Sequence, residues 1–235
     1  GPAAAASSPA TSVAPAPKFN WGPGIKTLII GGGASHDYQR WFNLADVRLL
    51  NEADGISANY TEQTGGIADL IASVDVLVLS NNKPFTDKAT RDAIFRHLAA
   101  GKGIVGLHAG VWYNWADWPE YNQRIAGGGA RGHDRLGKFE VVLKEPNHPL
   151  VASVPSRFEI VDELYWFEAD PGGSKIRVLA TAHSAEKNKT YPQVFTVDQE
   201  RGRVVVITLG HDGQAHSHEA YQKLLVNAVR WAGTT

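Results

Sequence analysis

The sequence predicts an α/β fold: a doubly wound, mostly parallel sheet with helices on both faces and an antiparallel β extension in the second half. Three observations predict it. Short apolar or alternating runs recur through the first half, at 25–33, 56–63, 74–82 and 103–110. Helical stretches lie between them, and strands that alternate with helices pair in parallel through right-handed crossovers. The second half strings strand-like segments together with few helices, then returns to an apolar run ending in glycine, "GRVVVITLGHDG" (202–213).

Each element has its own signal. "IKTLIIGGG" is a buried strand opening into a loop, "ISANYTEQ" alternates, and "VDVLVLSNN" is a continuous apolar strand with a polar end. "IADLIASV" is a short helix. "TDKATRDAIFRHLAAG" reads as a helix capped by Thr86 and stopped at Gly101, with Ala89, Ile94, Phe95, Leu98 and Ala99 on its apolar face. "KFEVVLKE", "RFEIVDELYWF", "KIRVLATAHS" and "PQVFTVD" suit strands. "HEAYQKLLVNAVRWAG" closes the chain as a helix burying Tyr221, Leu224, Leu225, Ala228 and Trp231.

Composition narrows the function. The chain has 235 residues, 43% hydrophobic and 20% charged, enough for a sizeable core. A formal net charge of -1 leaves no footprint for nucleic acid. No apolar run is long enough to cross a bilayer. Without cysteine there are no disulfides, thiolate metal sites or cysteine nucleophiles. Gly1-Pro2 reads as a protease-cleavage scar, and the Ala/Pro/Ser-rich stretch through residue 24 as a disordered tail. That tail is like the region after a removed signal peptide, so export to the periplasm or beyond is expected; the alternative is a natural disordered tail on a cytoplasmic protein. Residues 25–235 then form a single domain.

Ligands bind beyond the carboxyl ends of strands in open α/β sheets. Gly32, Gly33, His36 and Asp37 follow the first apolar run, Asn81 ends the third, His108 ends the fourth, and His211 and Asp212 follow "VVVITL". Three histidines from distant segments therefore share one sheet edge. Gly106 and Gly110 flank His108 at the spacing of a nucleophile elbow, a sharp turn that thrusts its central side chain into a cleft. An imidazole there suits acid–base work or metal ligation.

The loop after the first strand lacks the G-x-G-x-x-G spacing, and no P-loop occurs, so no nucleotide cofactor is expected. Its free N–H groups suit an anion or oxyanion. "GGGARGHDR" (127–135) reads equally as a ligand loop carrying His133 or as an exposed turn. In "IVDELYWFE" (160–168), alternation sends Asp162 and Glu163 to opposite faces, with Glu163 favoured for the cleft beside Tyr165. "HSH" (216–218) reads as a solvated helix start rather than a metal site, and His97, His148 and His183 as structural. Trp112 and Tyr113 offer faces for stacking on sugar rings, while at least two aromatics of "VWYNWADW" pack internally.

Taken in order, "GGGASHDYQRW", "GLHAG", "GGGARGH", "NHPL…DELYWF", "GRVVVITLGHDG" and "LLVNAVRWA" resemble the ThuA-like (trehalose utilisation) family over nearly all of residues 25–232. The resemblance implies a flavodoxin-like sheet similar to class I glutamine amidotransferases and a role in carbohydrate metabolism. In the amidotransferases the elbow carries cysteine and a later strand supplies a histidine. Here His108 occupies the elbow and His211 matches the later histidine, so a glutaminase is not expected.

The leading expectation is an enzyme that cleaves or rearranges a glycoside, including one oxidised to a 3-keto sugar. His108, His211, Glu163 and Asp37 are the candidate catalytic groups. Gly32, Gly33, His36, Asn81, Trp112, Tyr113, His133 and Asp212 are candidate substrate contacts. His108, His211 and His36 are candidate ligands for a divalent metal, zinc first. Two alternatives stand beside it: a carbohydrate-binding protein without chemistry, and a metal-dependent hydrolase of a non-sugar ester or amide.

Overall fold

The computed structural model describes residues 14–234. Eleven strands alternate with or follow short helices: β1 (Ile25–Ile30), β2 (Ile56–Thr61), β3 (Val76–Leu79), β4 (Gly103–Leu107), β5 (Gly128–His133), β6 (Gly137–Leu143), β7 (Arg157–Asp162), β8 (Tyr165–Ala169), β9 (Ile176–Ser184), β10 (Lys189–Val197) and β11 (Arg203–Ile207). The helices are α1 (Asp46–Glu52), α2 (Ala68–Ser73), α3 (Lys88–Ala99), α4 (Gly213–His216) and α5 (Glu219–Gly233).

Nine strands form one sheet in the order β2-β1-β3-β4-β11-β10-β9-β6-β7. From β2 to β11 the pairing is parallel, and from β11 to β7 it is antiparallel. The order reverses between β1 and β3, the switch point at which doubly wound sheets hold ligands. Strand alternation explains the two layers. Ile29, Val78, Val105 and Ile207 face the layer that contains α1 and α5. Leu28, Leu77, Ile104 and Val206 face α2 and α3.

Several local expectations change. Asp87, not Thr86, caps α3, its carboxylate accepting the Thr90 N–H at 2.9 Å. Ala89 and Ala99 are exposed; Ala93, Ile94, His97 and Leu98 make the buried face. Trp231 is half-buried. "RFEIVDELYWF" divides into β7 and β8, which belong to different sheets. The glycine stretch read as a ligand loop or turn contains β5, paired antiparallel with β8.

The tail behaves differently over its described part. Ala16, Phe19 and Trp21 pack against the α2/α3 layer. The Gly22 N–H donates to Ser57 Oγ at 2.9 Å, and Gln63 donates to the Ala14 carbonyl at 2.9 Å. Two aromatic side chains in a small-residue tract thus fix residues 14–24 to the domain. The remainder of the expected disordered tail, 1–13, lies outside the described residues.

Candidate functional site

The site lies beyond the carboxyl ends of β1, β4, β7 and β11. At the end of β4, His108 has φ +47°, a conformation strained for a non-glycine residue. Gly110 makes the elbow possible. A Cβ there would lie 1.9 Å from the Leu79 carbonyl oxygen, closer than any atoms can pack. Because Leu107 pairs with Ile207, the next residues along, His108 and Thr208, meet. His108 Nδ1 donates to the Thr208 carbonyl at 2.6 Å, which fixes the tautomer: the other nitrogen, Nε2, faces the cleft.

Glu163, in the short link between β7 and β8, receives a ring of imidazoles. Its Oε1 lies 2.8 Å from His211 Nδ1, 3.3 Å from His108 Nε2 and 3.9 Å from His36 Nε2. Its Oε2 lies 3.1 Å from His133 Nε2. The nitrogens of His36, His108 and His211 that face it are buried and have no hydrogen-bond partner. One ligand atom from each of His36, His108, His211 and Glu163 lies within 4.8 Å of the others. That donor set, three imidazoles and one carboxylate, suits a divalent metal.

Electrostatics agree with the geometry. Burial lowers His108 to about 3, so this ring is neutral. Burial works upward on Glu163, but the His108, His211 and His36 imidazoles around it outweigh that and hold the carboxyl well below the usual carboxylate range. His211 is raised, first by the Glu163 carboxylate beside it and against burial. Tyr165 stacks on the His108 ring, centroids 4.2 Å apart, and burial raises its hydroxyl.

A shared anchor sets the spacing. The buried Asp162 carboxylate accepts N–H bonds from Gly210 at 2.8 Å, His211 at 3.0 Å and Glu163 at 2.8 Å. Burial pushes its carboxyl up to about 6, with those three amides pulling it back. Behind the same turn, His216 Nε2 donates to the Gly210 carbonyl at 2.8 Å, and its Nδ1 meets Asp46 at 2.8 Å. His216 is therefore a buried bracket, which corrects its reading as a solvated helix start; the half-buried His218 caps α5, through its ring Nδ1.

The cluster opens into a cavity of about 270 Å³ whose walls include His36, Asn82, Trp112, His133, Glu163 and His211. Other expected residues fall elsewhere. Asp37 is exposed and accepts the Arg40 N–H at 3.1 Å, starting a helical turn. Asp212 caps α4 by accepting the Gln214 N–H at 3.0 Å. Both carboxylates serve the backbone, because helix starts leave N–H groups without partners. Asn81 is buried, its amide spent on the Lys83 carbonyl, while Asn82 lines the cleft in its place. The Gly32 carbonyl accepts from Asn82 and Lys83, and neither Gly32 nor Gly33 lines the cleft. Tyr113 lines a neighbouring cavity rather than this one. Trp115 and Trp118 pack internally. Asn114, within the aromatic stretch "VWYNWADW", joins the wall because it follows the elbow.

The doubly wound sheet, the elbow after β4 and the histidine after β11 define a glutamine-amidotransferase-like α/β fold with histidine at the elbow. The chain belongs to the ThuA family, described as trehalose utilisation, whose model matches residues 26–232. A ThuA-like protein of Parabacteroides merdae is 24% identical, with a TM-score of 0.78 and 90% of each chain covered. One from Bacteroides uniformis is 20% identical, with a TM-score of 0.71, covering 92% of this chain and 94% of that one. The glutaminase domain of Trypanosoma brucei CTPS shares the fold at 10% identity and a TM-score of 0.50, covering 90% of this chain and 96% of the other. The sequence matches no curated protein.

Two further neighbours correct the expectation of export. Both are proteins of Salmonella typhimurium described as cytoplasmic, 14% and 13% identical, with TM-scores of 0.64 and 0.60. They cover 88% of this chain, and 99% and 98% of their own. An Ala/Pro/Ser-rich composition reports a lack of core-forming residues, not an address. Among the described residues, no helix is long and apolar enough to cross a membrane.

Proposed function

We propose that this protein is a carbohydrate-active enzyme whose His36, His108, His211 and Glu163 hold one divalent metal, zinc by donor set, next to a sugar-sized cleft. The convergence of three unpartnered buried imidazole nitrogens on one carboxylate oxygen carries this reading. Such sites are costly unless a cation completes them. When bound, the metal supplies Lewis acidity toward a substrate oxygen.

The remaining wall groups supply recognition and proton transfer. Trp112 presents an aromatic face, and Ser35, Asn82 and Asn114 offer hydrogen bonds to hydroxyls. His133 sits at the mouth, its side chain 37% exposed, and donates Nδ1–H to the Asp134 carbonyl. Its Nε2 faces the cavity side of Glu163 and is the group that exchanges a proton with substrate. A 3-keto glycoside fits this inventory. Removal of the proton beside its carbonyl lets the electron pair form a C=C bond as the glycosidic C–O bond breaks, and the leaving oxygen takes up a proton. Such an elimination needs one base and a polarised carbonyl, not the paired carboxylates of ordinary glycosidases.

The test is a screen of glycosides and their 3-keto derivatives, with and without chelator. Turnover that chelation abolishes, zinc restores and Glu163→Gln removes supports the proposal. Undiminished turnover in chelator, or substrate binding without turnover of any glycoside, would overturn it.

A further inference from the structure

A second cavity of about 540 Å³ adjoins the histidine cleft, and Trp112 lines both. Its aromatic wall is built before any ligand arrives. Trp112 forms a β-bridge to Ala130, and the Tyr113 N–H donates to the Ala130 carbonyl at 3.1 Å. Asn122 Nδ2 ties down the Trp112 carbonyl at 3.2 Å and the Gly128 carbonyl at 2.9 Å. Trp115, 3% exposed, wedges against Tyr121 at 4.3 Å between ring centroids. Little ordering cost remains for a ligand that stacks here.

The polar groups select the occupant. Gln123, Arg131 and Asp170 share the lining with the aromatics. The exposed Arg131 guanidinium lies 4.0 Å over the Tyr113 ring and forms no ion pair among the described residues. A guanidinium and a carboxylate in one cavity call for a ligand that both donates and accepts hydrogen bonds. A plain aryl group would leave both without partners. A pyranose ring satisfies both, because its C–H face stacks while each hydroxyl donates and accepts.

We propose that this cavity is a second sugar-ring subsite, so that the substrate spans two pyranose units with Trp112 at their junction. The inference rests on the sugar-directed reading of the histidine cleft and names the substrate's size.

Calorimetric titration of the full chain with trehalose and with methyl α-glucopyranoside tests it, with circular dichroism to monitor folding. The two-ring probe should bind at least about tenfold more tightly than the one-ring probe, the scale of one good aromatic stacking contact. Arg131→Ala and Tyr113→Ala should each erase most of that advantage and leave the one-ring affinity and zinc affinity unchanged. Equal affinities, no binding of either probe, or equal weakening of both by the variants would overturn the subsite. Two-ring preference without turnover of any glycoside would uphold the subsite and remove the catalytic reading. Turnover of a one-ring glycoside with no two-ring advantage would do the reverse.

Discussion

His108 Nε2 lies 3.3 Å from Glu163 Oε1, and neither atom carries a hydrogen for the other. The His108 proton is committed to the Thr208 carbonyl, and burial keeps the ring from taking a second. Two facing acceptors repel unless a cation lies between them. Removing the carboxylate should therefore damage the metal site. Glu163→Gln is expected to lose the stabilisation that zinc gives the wild type. Differential scanning calorimetry with and without zinc checks it, and an unchanged zinc-induced shift would contradict it.

Asp162 is a positioning residue. It touches the backbones on either side of the metal candidates rather than the cleft itself. Asp162→Asn keeps the size but offers only one acceptor oxygen, leaving at least one buried N–H without a partner, at about 1–3 kcal/mol. Zinc affinity should fall about 10–100-fold, as for lost supporting hydrogen bonds at metal sites, with the fold retained. A zinc titration read beside a thermal melt separates the two effects; unchanged affinity would remove Asp162 from the account.

Much of this arrangement was legible from strand ends. The elbow spacing marked His108, and the apolar run before Gly210 marked His211, because apolar runs define where a sheet stops. Alternation left one of Asp162 and Glu163 for the cleft, and Glu163 reaches it from the link after β7 rather than from a strand. Asp37 and Asp212 were misread because an aspartate after a strand looks the same whether it caps the next helix or faces a ligand. The Asp46–His216 bracket had no local signal, since 170 positions separate the partners. The helical stretch containing α1 carries a weak sequence signal, its start lying in a π-helical turn (Gln39–Ala45) with irregular periodicity.

Stability should depend on His97. Its Nε2 donates to the Gly103 carbonyl at 2.7 Å, and burial lowers its pKa from 6.5 to about 4. The unfolded chain thus takes a proton that the folded chain refuses. Stability from this group is complete above pH 6.5 and is lost as pH falls toward 4, by about 3 kcal/mol in all. His97→Gln is expected to flatten the pH dependence of denaturant midpoints in that window by one proton's worth. An unchanged slope would contradict it.

The elbow should tolerate no side chain at Gly110. A methyl group there meets backbone, which cannot rotate away. Gly110→Ala is expected to cost about 3 kcal/mol, at the upper end for overpacking, and to disturb His108 with it. Urea unfolding measures the loss, and a cost near zero would mean the turn is looser than described.

His36, His108, His211 and Glu163 are expected to surround one divalent cation. X-ray absorption spectroscopy on purified protein loaded with one equivalent of zinc tests it most directly. Bound zinc should show three imidazole nitrogens and carboxylate oxygen at about 2.0–2.2 Å, with the imidazole signal diminished in His108→Ala. Failure to retain zinc, or a spectrum unaltered by that substitution, would contradict it.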